Sequence, residues 1–162
     1  MQPVQYMTSL LTFYLKGEIQ QEQNFVNLKT PNTVLGLIPL GAQKDSIPVS
    51  QLSSVESNFK LNFGSLIIGA IIALLGLGMI AESFIASLII MLAGVNAAIT
   101  AFETVLTIKT TSGDAKDISF LIFEKQKAEL AEKQIKQIVS DRLDDTNNRV
   151  QTDRIVEAIN NK

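Results

Sequence analysis

The sequence has no cysteine, no histidine and no tryptophan among its 162 residues. Without cysteine the chain can form neither a disulfide nor a thiolate metal site. Without histidine it lacks the commonest general base and the commonest metal ligand. The net charge of -2 also argues against the basic face that a nucleic-acid-binding protein needs. We therefore expect a protein that is not an enzyme, carries no metal or cofactor and binds no nucleic acid.

Charged side chains are also nearly missing from one long stretch. Between Phe63 and Phe102 the only charged residue is Glu82. A single helix over this block would be roughly 60 Å long, about twice the thickness of a bilayer core. Each uncharged run beside Glu82 is instead close to the roughly 20 residues that one crossing needs. The sequence thus predicts a transmembrane hairpin over residues 62–102, with Glu82 in the membrane turn rather than in an ion path.

The lysines give this predicted hairpin an orientation. Lys44 and Lys60 precede it and Lys109 and Lys116 follow it, whereas the turn at Glu82 contains no cation. Positively charged segments tend to stay on the cytoplasmic side. This pattern predicts a multi-pass protein of the cell membrane with both termini in the cytoplasm.

The two flanks of the hairpin have the composition of β-strands. Runs 11–16 and 24–29 are predicted strands, and Pro31-Asn32, Gly41 and Pro48 separate two or three more within residues 31–56. Pro39 and Pro48 belong at edges, bends or strand ends, because proline cannot donate to a strand ladder. After the hairpin, runs 104–110 and 117–123 are separated by Ser112, Gly113 and Asp114, which favour a turn. We expect several strands in series on both sides of the hairpin.

The chain then changes to a helical period. In residues 124–139 the apolar side chains recur every three or four positions, which is typical of an amphipathic helix that covers a sheet. The polar segment 141–162 either interrupts this helix or adds a second amphipathic piece. The apolar positions are Ala128, Ala131, Ile135, Ile138 and Val139 in the helix, and Val150, Ile155, Val156 and Ile159 in the tail.

The order of these segments resembles a known family. The strands in "DSIPVSQLSSVES" and "TVLTIKTTSGDAKDISFLIF", followed by "EKQKAELAEKQIKQIV", are similar to the bacterial pleckstrin-homology-like domain of small membrane proteins. The resemblance implies a bent β-barrel or sandwich capped by a C-terminal helix. The predicted fold class is an α+β membrane protein, with the hairpin inserted in a split pleckstrin-like domain (8–61 and 103–140) and a tail at 141–162.

Small residues follow both predicted spans at intervals of four, and such stripes let helix backbones approach closely. They pack the two spans of one chain together or face another subunit, and the sequence leaves both open. Asn96, polar and deep in the second span, is expected to hydrogen-bond across a helix interface. The predicted packing and oligomerisation residues are Ser65, Gly69, Ala73, Gly76, Ala93, Asn96, Ala97 and Ala101.

Two functions agree with these features. The first is a membrane scaffold that self-assembles through its hairpin and its cytoplasmic domain, in contact with membrane lipid and with a cytoplasmic protein partner. The second is an accessory subunit or small channel component of a transport system, in which Gly76, Asn96 or Thr100 would line an opening. The scaffold, as a homo-oligomer, is the preferred hypothesis.

Overall fold

The computed structural model describes the backbone of residues 1–34 and 38–160, and the side chains of all of these except 147–150 and 153–160. Within this part the chain is α+β, with seven strands, three α-helices and two short 3-10 turns at Val49–Gln51 and Ile122–Glu124. The strands are β1 (Val4–Met7), β2 (Lys16–Glu22), β3 (Phe25–Val34), β4 (Ile38–Pro48), β5 (Leu52–Leu61), β6 (Phe102–Thr110) and β7 (Ala115–Leu121). The helices are α1 (Phe63–Gly78), α2 (Phe84–Thr100) and α3 (Lys125–Asn160).

The strands form two antiparallel sheets, ordered β1-β2-β3-β4 and β5-β6-β7. Neighbouring strands in each sheet are consecutive strands of the chain, and short turns join β2 to β3 and β6 to β7. The β5–β6 pair is different, because α1 and α2 lie between its two strands. Gln23 has φ 51° at the β2–β3 turn, and Gly113 has φ 92° at the β6–β7 turn. The predicted turn around Gly113 is thereby confirmed, since a left-handed conformation favours glycine.

The β1–β2 connection differs from the sequence prediction. The sequence predicts a strand over residues 11–16, but residues 11–15 belong to a loop over residues 8–15, and β2 begins only at Lys16. The backbone N–H of Leu15 donates to the carbonyl of Thr12 at 2.8 Å, which closes a turn inside this loop. The first strand lies earlier, where Val4 and Tyr6 alternate with exposed neighbours and are both buried.

The hydrophobic core lies between the two sheets and the first half of α3. Tyr6 of β1 and Phe120 of β7 are fully buried, with ring centroids 4.3 Å apart. The predicted amphipathic stripe is confirmed, because Ala128, Ala131 and Ile135 are completely buried. Both sheets and the helix therefore share one core.

Helix α3 continues well past this core. It runs through Asn160 without a break, so the predicted interruption after residue 140 does not occur. The guanidinium of Arg142 donates to the carbonyls of Val49, Ser50 and Leu52, which ties the helix to the link between the two sheets. The tail positions Val150, Ile155, Val156 and Ile159 lie outside the described side chains.

Helices α1 and α2 form an antiparallel pair inserted between β5 and β6. The last rung of the β5–β6 ladder pairs Leu61 with Phe102, and the backbone N–H of Asn62 donates to the carbonyl of Ala101 at 2.9 Å. The helical pair is therefore joined to the second sheet by two adjacent, hydrogen-bonded chain segments. Glu82 is exposed in the turn 79–83 that connects the helices.

The prediction that this pair crosses a membrane is wrong. Among the helices of residues 1–34 and 38–160, none is long and apolar enough to be a membrane span. Asn62 and Ser83 are the N-caps of the two helices, and α1 and α2 end at Gly78 and Thr100, so they have only 16 and 17 residues. These lengths correspond to roughly 24–26 Å, short of the roughly 30 Å of a bilayer core. This finding also corrects the predictions that depended on a membrane span. These are the membrane part of the fold class, the multi-pass localisation in the cell membrane and the cytoplasmic placement of the termini.

Candidate functional site: the helical hairpin and its root

Small residues allow α1 and α2 to lie in close contact. A Cβ atom built on Gly94 of α2 would lie 2.3 Å from the backbone nitrogen of Ala73, and one on Gly69 would lie 2.5 Å from that of Ala98. A Cβ on Gly76 would lie 2.7 Å from the backbone nitrogen of Met91. These separations leave no room for side chains, so the glycines are required for the contact between the helices.

Polar groups inside the pair are used to join its two helices. The hydroxyl of Ser87, which is 2% exposed, donates to the carbonyl of Gly76 at 2.6 Å. Asn62 caps α1 by accepting from the backbone N–H of Ser65 at 3.1 Å. A serine or asparagine before an apolar helix is a recognisable N-cap signal in sequence. The bond across the helices from Ser87 had no such signal, because it depends on their packing.

The outward face of the pair has the opposite character. Fourteen large apolar side chains on α1, α2 and their turn are at least two-fifths exposed, with Ile85 at 72%. The only charge in this region is Glu82 at the tip. We call these fourteen residues the apolar hairpin surface: Phe63, Ile67, Ile68, Ile71, Leu74, Leu75, Leu77, Ile80, Phe84, Ile85, Leu88, Ile89, Leu92 and Val95.

Asn96 lies at the end of the helical pair that is nearest the sheets, which we call the root of the pair. It lies near the C-terminal end of α2 and is 3% exposed. Its side-chain oxygen accepts from the hydroxyl of Ser9 at 3.2 Å and from the backbone N–H of Leu11 at 3.3 Å. Both donors belong to the β1–β2 loop. The sequence predicted instead that Asn96 would hydrogen-bond across a helix interface, and neither of these donors lies on α1. Its amide nitrogen Nδ2 has no partner among the described residues.

The other residues predicted for packing lie in or near the contact between α1 and α2. Ala97 and Ala101 are buried, whereas Ser65, Ala73 and Ala93 are half-buried. Gly69 and Gly94 each approach backbone atoms of the opposite helix. The stripes of small residues are thus largely used within one chain, and large side chains are left to face outward.

The ionisable groups elsewhere make structural contacts. Burial alone would raise the pKa of Glu132, but hydrogen bonds from Lys136 and Ser57 and the charge of Lys136 lower it below its ordinary value. Burial raises the pKa of Tyr6 to about 12, although its hydrogen bond with Thr30 acts in the opposite direction. Within residues 1–34 and 38–160, no group of three acidic side chains is placed to hold a metal ion. The apolar hairpin surface is therefore the most informative candidate site.

Comparisons with protein-family models, with curated proteins and with solved structures found no match to this chain. The resemblance to a pleckstrin-homology-like domain accordingly stays a prediction.

Proposed function

We propose that this protein is a self-assembling scaffold, in which copies of the chain associate through the apolar hairpin surface. The observation that carries the proposal is the arrangement of the helical pair, with glycines and polar groups inside and fourteen large apolar side chains outside. In a helical pair that is surrounded by water, the large apolar side chains would lie inside and the polar groups would face outward. Their exposure indicates that another surface covers them.

The size of the surface fits a stable interface. Fourteen side chains of this size and exposure present on the order of 1,000 Å² of apolar area, more than the largest patch of a typical monomer. A standard protein interface buries about 800 Å² on each partner. The apolar hairpin surface therefore supplies enough area for one specific contact.

A second copy of the chain is the partner that this surface fits best. In a two-fold dimer the same patch of both copies forms the interface, so the patch must be complementary to itself. An apolar patch meets this requirement without any matching of charges. Glu82 is the only charged side chain in residues 63–102, and it lies at the tip. The surface therefore offers no charge pattern by which a different partner would be selected.

The two sheets and α3 would hold the apolar hairpin surface in place. The helical pair is joined to the second sheet through the Asn62 to Ala101 hydrogen bond and to the first sheet through Asn96. Two antiparallel sheets and a C-terminal helix also agree with the proposed pleckstrin-like relationship. The sheets and the C-terminal helix also give each copy a surface to which a further protein partner can bind.

The transport hypothesis gains no specific support. Gly76 packs against Met91, Asn96 bonds to the β1–β2 loop, and the hydroxyl of Thr100 donates to the carbonyl of Ala97 at 3.1 Å. All three groups that were candidates for lining an opening have contacts within the chain.

The test substitutes the middle of the apolar hairpin surface. Ile71 and Ile89 are 52% and 63% exposed, so the double variant Ile71→Glu, Ile89→Glu places two charges on the surface without changing the packed interior. We expect wild type to sediment as a multiple of 17.7 kDa and the variant as a single chain with an unchanged circular dichroism spectrum.

The matched control is Leu130→Glu, which adds a charge to an exposed apolar position of α3. It should assemble as wild type does. Equal assembly of the double variant and wild type would overturn the proposed surface, as would a wild-type chain that is monomeric at every concentration.

A further inference from the structure

The β1–β2 loop has an inverted polarity. Ser9 and Thr12 are 0% and 1% exposed, whereas Phe13 and Tyr14 are each 61% exposed. Leu10 and Leu11 are also exposed. A surface loop in water normally does the reverse, because burying hydroxyl groups and exposing aromatic rings both cost free energy. We call Leu10, Leu11, Phe13 and Tyr14 the loop patch.

The buried side of this loop rests on the helical pair. Asn96 accepts hydrogen bonds from the Ser9 hydroxyl and the Leu11 backbone, and both distances are below 3.5 Å. Leu92 and Val95 precede Asn96 on the same helix by four and one residues, and both belong to the apolar hairpin surface. The loop patch therefore lies beside the root of that surface, rather than at a separate place on the protein.

The inverted loop also has a specific internal geometry. The Leu15 to Thr12 hydrogen bond closes its turn, and the rings of Phe13 and Tyr14 meet edge to face with centroids 6.1 Å apart. The sequence carries no charged side chain from residue 1 to residue 15. The loop thus holds two aromatic rings outward in an uncharged setting, and such rings are common anchors of protein interfaces.

We infer that the loop patch is the second part of the association surface, and that it contacts the hairpin of a second copy of the chain; this role presupposes the proposed self-assembly. The occupant is a second copy because the patch continues the apolar hairpin surface and is as free of charge as that surface is. Its aromatic rings supply contact area at the root of the hairpin, where the helices meet the sheets. Asn96 is the residue that positions the loop for this contact.

The experiment compares the dissociation constant of the full-length assembly, measured by sedimentation, for wild type and for Phe13→Ser, Tyr14→Ser. We expect the double variant to assemble at least tenfold more weakly and to unfold at the wild-type temperature when monomeric. The control Phe25→Ser removes an aromatic ring that is 45% exposed at the β2–β3 turn, and it should leave the dissociation constant unchanged.

A second readout uses the fluorescence of Tyr14. The chain has two tyrosines and no tryptophan, and Tyr6 is already buried, so acrylamide quenching reports mainly on Tyr14. We expect quenching to be weak in the assembly and to rise on dilution to the monomer.

The outcomes separate the two proposals. Assembly with wild-type affinity and unprotected Tyr14 would overturn the role of the loop while leaving association through the hairpin intact. A monomeric wild type would overturn both. Protection of Tyr14 only by vesicles of phosphatidylcholine and phosphatidylglycerol, without self-assembly, would likewise reject a second copy as the occupant.

Discussion

The side-chain oxygen of Asn96 in α2 lies 3.2 Å from the hydroxyl of Ser9 in the β1–β2 loop. The same oxygen accepts the backbone N–H of Leu11 at 3.3 Å. These contacts join two segments that are 85 or more residues apart in the chain. They join the helical pair to the first sheet and explain why the loop buries the hydroxyl of Ser9.

Substitution of Asn96 by alanine should release the loop. The buried hydroxyl of Ser9 and the N–H of Leu11 would both lose this acceptor, and the loss of a buried hydrogen-bond partner costs about 1–3 kcal/mol. We expect Asn96→Ala to lower the free energy of unfolding by that amount in urea and to accelerate chymotrypsin cleavage at Phe13 and Tyr14. Asn58→Ala, at an exposed position of β5, is the control. Unchanged cleavage would contradict the positioning role of Asn96.

A single methyl group at Gly94 should disrupt the helical pair. The added Cβ would lie 2.3 Å from the backbone nitrogen of Ala73, and overpacking of this kind costs about 1–3 kcal/mol or more. Gly78→Ala is the matched control, because nothing lies within 4 Å of its Cβ position at the end of α1. Urea denaturation should show Gly94→Ala destabilised and Gly78→Ala unchanged or more stable. Equal stability of the two variants would refute the close helix contact.

The titration of Tyr6 should report its burial. Its pKa is raised from 10.0 to about 12, so the neutral phenol stabilises the fold below pH 10 and this stability is lost as the pH rises towards 12. In Tyr14→Phe the absorbance of tyrosinate comes from Tyr6 alone, since the chain has two tyrosines. We expect a midpoint near 12 in the folded protein. A midpoint near 10 with the fold intact would show that the phenol is exposed.

Glu132 should make stability depend on acid. Its pKa is lowered from 4.5, so the ionised carboxylate stabilises the fold above that value and this contribution is lost as the pH falls through the lowered pKa. We expect Glu132→Gln to be less stable than wild type at neutral pH and the two to converge in acid. Glu129→Gln, which removes a more exposed ion pair with Lys125, should show a smaller difference throughout. Parallel pH curves for Glu132→Gln and wild type would exclude this role.

Local patterns in the sequence located many of the elements. The turn residues around Gly113 separated β6 from β7, and the spacing of Ala128, Ala131 and Ile135 predicted the buried stripe of α3. These features depend on nearby residues, so a single sequence carries them. The apolar block likewise indicated two helices with a turn at Glu82.

The features that the sequence did not predict depend on contacts between residues far apart in the chain. Residues 11–16 resemble a strand, but Asn96 holds the preceding segment as a loop, and no local pattern records that bond. The uncharged runs begin where α1 and α2 begin, but the helices end earlier, at Gly78 and Thr100. The turn after Gly78 and the pairing of Leu61 with Phe102 take up the remaining residues, so the count of uncharged residues overestimated both lengths. The small-residue stripes predicted close packing but did not settle which helix they meet.

The most direct test is the molar mass of the full-length chain in solution, measured by light scattering across a range of concentrations. We predict a defined multiple of 17.7 kDa that falls to one chain in Ile71→Glu, Ile89→Glu. A wild-type mass of one chain at all concentrations, or an assembly that the two charges leave intact, would contradict it.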